Sequence, residues 1–260
     1  MNIVVCIKQV PDTTEVKLDP KTGTLIREGV PSIINPDDKS GLEAALKLKD
    51  EHQAHITVLT MGPPQAEKAL REALAMGADK AILLSDRAFA GADTWATSST
   101  LAAAIKNLEY DLIIAGRQAI DGDTAQVGPQ IAEHLNLHQV SYVAALEKNE
   151  NKIIVKRIFE DGHHMIEASM PCLITTLSEM NTPRYMSVGG IYEAYSKEII
   201  KWSLEDITVD EKNLGLKGSP TKVKKSFTKG AKNAGKLFEI KSGLEGAEII
   251  VNKLKEEFIV

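Results

Sequence analysis

The residues of this chain that could do chemistry fall in a few loops, each placed after a short run of β-branched and aliphatic residues. The longest reads Gly116-Arg117-Gln118-Ala119-Ile120-Asp121-Gly122-Asp123-Thr124-Ala125-Gln126-Val127-Gly128. Gly122 and Gly128 permit backbone conformations and close approaches that a side chain would block. Residues 124–128 can turn free backbone N–H groups, and the positive end of a helix, toward an anion. Arg117 adds a planar charged fork suited to phosphate. The plainer reading is a long connection in which Asp123 or Thr124 caps the following helix. A second loop, Asp93-Thr94-Trp95-Ala96-Thr97-Ser98-Ser99-Thr100, has the same ambiguity. Asp93 suffices as a cap, yet three threonines and two serines follow it. That is more hydroxyl than capping needs, and it would make a second phosphate-binding surface. A dinucleotide would use both surfaces and a mononucleotide only one.

Two further loops complete this set, Lys8-Gln9-Val10-Pro11-Asp12-Thr13 and Met61-Gly62-Pro63. Other chemistries lack their signatures. There is no GxGxxG, no GxxxxGK[ST] and no GxSxG. His163 and His164 are adjacent on an expected strand, so they face opposite sides and read as a surface pair rather than metal ligands. Cys6 lies inside a strand and reads as a small core residue rather than a catalytic thiol. Glu179-Met180-Asn181-Thr182-Pro183-Arg184-Tyr185 has turn composition. A methionine projecting from it would also suit a docking contact, and the residues leave turn and interaction loop open.

Elements must hold these loops in place. Residues 3–7, 55–60, 81–84 and 112–115 are short apolar runs of the kind found in strands buried on both faces. Between them, residues 37–51, a segment opened by Pro63 and Pro64 and closed by Gly77, residues 94–106 and residues 124–135 show helical spacing. This alternation predicts parallel strands joined by right-handed crossovers, an open doubly wound, mostly parallel α/β sheet of Rossmann-like type. In such sheets ligands bind beyond the carboxyl ends of the strands, where all four loops fall. After residue 140 strands follow one another with little helix, predicting an antiparallel edge. Residues 1–194 are expected to form the α/β domain. Residues 195–260 read as an extended C-terminal arm with a closing helix over 246–257. The arm carries eight lysines and one glutamate between residues 217 and 241, which reads as a solvated linker or an anion site. A long segment with little core of its own usually lies on something, and a partner subunit is one candidate.

The chain has 260 residues, with 31 basic and 36 acidic side chains, so it is not expected to be a nucleic-acid binder. No apolar run approaches a membrane span. The start of the chain lacks signal-peptide grammar, and the two cysteines, Cys6 and Cys172, fit no ligand spacing. The expectation is a cytoplasmic, reduced protein.

Taken together, Cys6 through Asp12, Asn35-Pro36-Asp37-Asp38, Ala73-Leu74-Ala75-Met76-Gly77-Ala78-Asp79, residues 117–128 and Pro183-Arg184-Tyr185 resemble the β subunit of electron transfer flavoproteins, over essentially the full length. The resemblance implies an adenine-nucleotide-binding sheet and a heterodimer with an α subunit that carries a redox-active FAD. It implies that Cys6, Asn35, Pro36, Asp37, Asp38, Met61 and the residues from Arg117 to Gly128 line a bound FAD or a structural AMP. The arm would wrap the α subunit, and Met180, Asn181, Arg184 and Tyr185 would dock an acyl-CoA dehydrogenase or reductase. Val10-Pro11-Asp12-Thr13, Thr22-Gly23-Thr24-Leu25, Asp37-Asp38 and residues 91–97 resemble the electron-bifurcating branch of anaerobes, with Asp93, Thr94 and Thr97 on the second phosphate. That branch implies FAD, reduction by NADH near Pro11, Asp12 and Thr13, and ferredoxin or flavodoxin as a second acceptor. It makes the chain part of an NADH-dependent bifurcating acyl-CoA reductase complex, with no activity alone and no catalytic side chain of its own. Many relatives have paired glycines after Asp161, where this chain has Gly162 and then His163-His164, so α-subunit contacts are not carried over there. The alternatives are a simple electron carrier holding AMP and, from another class, a stand-alone adenine-nucleotide sensor.

Overall fold

The computed structural model describes residues 1–12, 31–224 and 235–260. Thr13, the 22–25 segment and the centre of the lysine-rich stretch lie outside the described residues. Strand β1 (Asn2–Cys6) is followed by β2 (Gln9–Pro11), which pairs antiparallel with β3 (Ser32–Ile34) in a small separate ribbon. Helix α1 (Pro36–His52) starts with Pro at its first turn, where no backbone donor is missed. Then come β4 (His55–Met61), α2 (Glu67–Met76), β5 (Lys80–Leu84), α3 (Thr94–Ile105), β6 (Leu112–Gly116) and α4 (Val127–Leu135). Gly77 ends α2 at φ 126°, a conformation that favours glycine.

The second half supplies β7 (His138–Asn149), β8 (Lys152–Phe159), β9 (Gly162–Ser169), β10 (Cys172–Thr176), α5 (Val188–Ser196), β11 (Ile199–Trp202), the short α6 (Gly215–Gly218) and α7 (Gly243–Glu256). The main sheet has nine strands in the order β11-β5-β4-β1-β6-β10-β7-β8-β9. All pairings are parallel except β7–β8 and β8–β9, which form the anticipated antiparallel edge. The chain therefore has the doubly wound α/β architecture that its periodicity predicts. Consecutive strands run outward from β1 through β4 to β5, and the chain then returns to place β6 on the other side. The switch point lies between β1 and β6, where Cys6 stands opposite Ala115.

Alternation along the strands divides the core between the two faces. One face packs Ile3, Val5, Leu42, Leu46, Leu70 and Ile114. The other packs Val4, Leu59, Ile82, Leu101, Ile113 and Leu173. No described helix is long and apolar enough to cross a membrane.

The structure moves two boundaries. Residues 199–202, within the stretch read as an arm, form β11 and pair with β5. A four-residue strand is too short to stand out in a polar sequence. The compact unit runs from Met1 to Lys224, and residues from Lys225 onward form a second unit. In that second unit α7 is capped by Ser242, whose hydroxyl accepts from Glu245 N at 3.2 Å. It is followed by the exposed Phe258, Ile259 and Val260.

Candidate functional site

The switch point is built around two acidic residues on the first turn of α1. Carboxylates are favoured at a helix N-terminus. Asp38 is buried, and its carboxylate accepts from Lys8 N at 2.7 Å and from Gly116 N at 3.0 Å. It thus ties together the chain leaving β1 and the chain leaving β6. Burial pushes Asp38 up to about 7, against hydrogen bonds from Asn35, Lys8 and Gly116 that favour the charged form. Burial, with Asp38 nearby, also pushes the Cys6 thiol up to about 12, which favours its protonated form.

Asn35 is fully buried and occupies the cap position of α1 without capping it. Its side chain instead holds the long loop after β6. Nδ2 donates to Gln118 O at 2.7 Å and to Asp38 Oδ1 at 3.0 Å, and Oδ1 accepts from Ile120 N at 3.1 Å. Lys8 Nζ reaches Asp121 Oδ1 at 2.6 Å and closes the loop from the other side. Asp37 Oδ1 accepts from Ser178 N at 2.9 Å, and its Oδ2 lies 3.3 Å from Arg117 Nε. That buried Nε has no aligned hydrogen-bond acceptor among the described residues.

The rest of the loop differs from its sequence reading. Helix α4 begins at Val127, not at residue 124. Asp123 and Ala125 take φ values of 56° and 53°, and these left-handed residues interrupt the helix. Gly122 is not left-handed; the conformational freedom expected of the glycines is taken up by Asp123 and Ala125. Gln118 donates to the Asp123 carboxylate, and Gly122 N and Asp123 N both donate to Ala119 O, giving a compact turn. Left-handed residues alternating with others make a backbone concavity of the kind that binds anions. The N-terminus of α4 has no side-chain cap. Thr124 is exposed there, and Gln126 turns sideways to accept from Thr94 Oγ1 at 3.0 Å. Gly128 is needed for packing, since a β-carbon would stand 2.6 Å from Thr175 Cγ2.

The Thr94–Gln126 bond places the start of α3 against this loop. Asp93 caps α3 through Ala96 N at 3.0 Å and also accepts from Thr221 N and Oγ1 at 2.9 and 2.7 Å. The hydroxyl surface anticipated after it is smaller than the composition suggests. Ser98 and Thr100 donate to carbonyls of their own helix, and Ser99 contacts His134 Nε2 at 3.2 Å. A hydroxyl inside a helix finds a backbone acceptor within its own turn, which composition cannot reveal. Of the rest, Thr97 lies near the helix start and Thr94 donates its hydroxyl to Gln126. Met61, at the end of β4, is half-buried, pairs with Leu84 of β5 and packs against the second core cluster. Of the loop anticipated beside the nucleotide, Pro11 is buried in β2 and Asp12 is exposed.

The 178–185 segment also departs from expectation. Met180 does not project; the turn Ser178–Met180 packs it against the core. Asn181 donates to Ser40 O and accepts from Lys47 Nζ. Arg184 makes a forked pair with the buried Glu43, at 3.0 Å from Nε and from Nη2, and Nη2 also reaches Asp50 at 2.8 Å. These hydrogen bonds raise the pKa of Arg184. Beside them lies an exposed surface of which the sequence reading named Tyr185 but not Val188, Tyr192 or Tyr195. Tyr185, Val188, Tyr192 and Tyr195 are exposed by 99, 87, 80 and 75%. The available signal was tyrosine density, since three of the five tyrosines fall within eleven residues.

A family model described as the electron transfer flavoprotein domain matches residues 22–207. The chain belongs to the electron transfer flavoprotein family. It is 61% identical over 260 residues to the electron transfer flavoprotein subunit beta of Clostridium acetobutylicum, covering all of both chains. It is 58% identical over 262 residues to the caffeyl-CoA reductase-Etf complex subunit CarD of Acetobacterium woodii, again over the whole of both. It is 49% identical over 269 residues to the acryloyl-CoA reductase electron transfer subunit gamma of Anaerotignum propionicum, with the same full coverage. This electron transfer flavoprotein chain is thus of the β-subunit type, and its relatives include subunits of caffeyl-CoA and acryloyl-CoA reductase complexes. Of the switch-point site, the matched range includes Asn35 to Asp38 and Arg117 to Gly128, while β1 with Cys6 and Lys8 precedes it.

Proposed function

We propose that this β subunit holds FAD at the switch point within a heterodimer, and that the assembly takes electrons from NADH. One electron would pass through the α-subunit FAD to an acyl-CoA dehydrogenase or reductase, the other to ferredoxin or flavodoxin. The observation that carries the FAD reading is the Thr94–Gln126 hydrogen bond at 3.0 Å. It sets two helix N-termini side by side, as a ligand with two adjacent phosphates requires. The uncapped start of α4, the concavity at Asp123 and Ala125, and the Arg117 guanidinium, whose Nε faces Asp37 but has no aligned hydrogen-bond acceptor among the described residues, all fit a phosphate. The bound flavin supplies the redox chemistry when present. The protein's part is to bind, orient and exclude water. Asn35 and Asp38 fix the backbone around the ligand, and Cys6 and Met61 form its apolar wall. Pro11 and Asp12, with Thr13, are assigned to the NADH approach. The relatives in caffeyl-CoA and acryloyl-CoA reductase complexes support the assignment to an acyl-CoA system.

Val188, Tyr192 and Tyr195 extend the proposed docking surface beyond Met180, Asn181, Arg184 and Tyr185. Exposed aromatic side chains of this density suit a protein partner. Residues from Lys225 onward are assigned to the α subunit, with α7 and the exposed residues after it as the contact. A reduced cytoplasmic setting accords with two buried, unpaired cysteines.

A second reading, structural AMP in a simple electron carrier, is favoured by one observation. The Asp93 carboxylate and the internally bonded Ser98 and Thr100 leave a smaller hydroxyl surface at α3 than two phosphates would ideally use. Co-expression with the α subunit, followed by measurement of released FAD and AMP per heterodimer, separates the two. Two FAD and no AMP support the bifurcating reading. One FAD and one AMP overturn it.

A further inference from the structure

Tyr142 has φ of 60° in the interior of strand β7. The other left-handed non-glycine residues among those described fall elsewhere. Gln53 and Asn136 end helices, Glu150 sits in the β7–β8 turn, Phe258 follows α7, and Asp123 and Ala125 belong to the site loop. An aromatic residue in this region is strained, and such strain persists only where the surroundings over-determine it, typically beside ligand sites.

The surroundings here are explicit. Along β10, Ile174 pairs with Val140 but Thr176 pairs with Val143, so β7 carries an extra residue at this point. The β7–β8 register shifts as well, between Val143 and Ala145. Bulges of this kind re-aim a side chain. Ser141 and Val143 are buried on either side, and Tyr142 is turned outward, 39% exposed. Its backbone N–H, lost to the ladder, donates to Thr175 Oγ1 at 3.2 Å. Thr175 in turn fits only because position 128 is glycine. The ring faces the Arg117 guanidinium at 5.9 Å. Arg117 is thereby held between that ring and Asp37, and its own backbone N–H donates to Thr176 O at 2.9 Å. Two adjacent strands and the start of α4 are thus arranged around placing one ring on one guanidinium.

We propose that Tyr142 is a positioning residue that holds the Arg117 guanidinium ready for the phosphate of a bound adenine nucleotide, the strained bulge being the device that delivers its ring. The inference rests on the reading of the switch point as a nucleotide site. A guanidinium restrained by a ring and a carboxylate loses less freedom when it binds an anion.

The test uses the purified full chain with any subunit that co-purifies, freed of nucleotide, and calorimetric titration with AMP and with adenosine. Tyr142→Phe keeps the ring and is expected to bind both as the wild type does. Tyr142→Ala is expected to bind AMP roughly five- to tenfold more weakly while adenosine is unaffected. Tyr142→Gly is expected to show the same weak AMP binding, yet to unfold at a higher temperature than Tyr142→Ala, because glycine accepts positive φ. Equal losses for AMP and adenosine, an unchanged Tyr142→Ala, or a Tyr142→Phe as weak as the alanine variant would overturn the proposal. A wild type that binds adenosine and AMP equally would remove Arg117 from the phosphate and overturn it too. A wild type that binds neither would instead overturn the nucleotide reading itself.

Discussion

Asp38 Oδ1 lies 3.0 Å from the backbone nitrogen of Gly116, and a β-carbon on Gly116 would stand 2.0 Å from that same oxygen. The clasp between α1 and the end of β6 therefore exists only because position 116 has no side chain. Gly116→Ala is expected to push the carboxylate out of reach and leave buried donors unpaired. The cost should be about 2–4 kcal/mol of stability, with loss of nucleotide binding. Denaturant unfolding checks the first effect and nucleotide titration the second. A variant within 0.5 kcal/mol of wild type, a margin typical of unimportant surface changes, would show the clasp to be dispensable.

Asp38 also predicts a pH dependence. Its pKa is about 7 in the folded chain and near the ordinary 3.8 when unfolded. The folded state therefore binds the proton more tightly. The stabilisation this supplies is complete below about pH 4 and is lost as pH rises through about 7. Over that window stability should fall by about 1 kcal/mol per pH unit on account of this group. Asp38→Asn should be less stable overall, because its amide faces three donors, but this component of the slope should vanish. Unfolding midpoints between pH 4.5 and 8 decide the matter, and an identical slope in the variant would refute it.

Asn35→Ala is expected to release the loop after β6. Gln118 O and Ile120 N lose their partner in a site where Asn35 itself is fully buried. The expected destabilisation is about 2–3 kcal/mol. Hydrogen exchange should show the amide of Ile120 opening far faster than in the wild type, while the amides of β4 are unchanged. Uniform acceleration along the chain would point instead to a general loss of stability.

Arg184→Lys tests the anchor of the tyrosine-rich surface. A lysine cannot reproduce the fork that spans Glu43 and Asp50, and Glu43 would remain buried with a weaker partner. The expected loss is about 1–3 kcal/mol, discounted because Arg184 is one-third exposed. Affinity for an acyl-CoA dehydrogenase partner should fall, and Tyr192→Asp should lower it without any loss of stability. Partner binding measured by interferometry, beside thermal unfolding, separates the two effects. Full affinity in Tyr192→Asp would remove α5 from the docking surface.

The elements were legible where apolar periodicity was long and local. The runs at 3–7, 55–60, 81–84 and 112–115 match β1, β4, β5 and β6 because strands buried on both faces must be apolar throughout. The loop after β6 was legible for a related reason, since Arg117 is a polar residue stationed at an apolar strand end, whereas Asn35 and Asp38 were singled out only by the family resemblance. Strand β11 was not, because its four residues gain their burial from β5 and not from a pattern of their own.

The sequence by itself determined the parallel sheet and its antiparallel edge. Those features follow from residue type and spacing, which are local. Only the tertiary structure decided which hydroxyls after Asp93 are free, that Met180 turns inward, and that Tyr142 meets Arg117. Each of these depends on a hydrogen bond or register shift between segments distant in the chain. A bulge in particular leaves composition unchanged while reversing which face a side chain occupies, so it is settled by the partner strand alone.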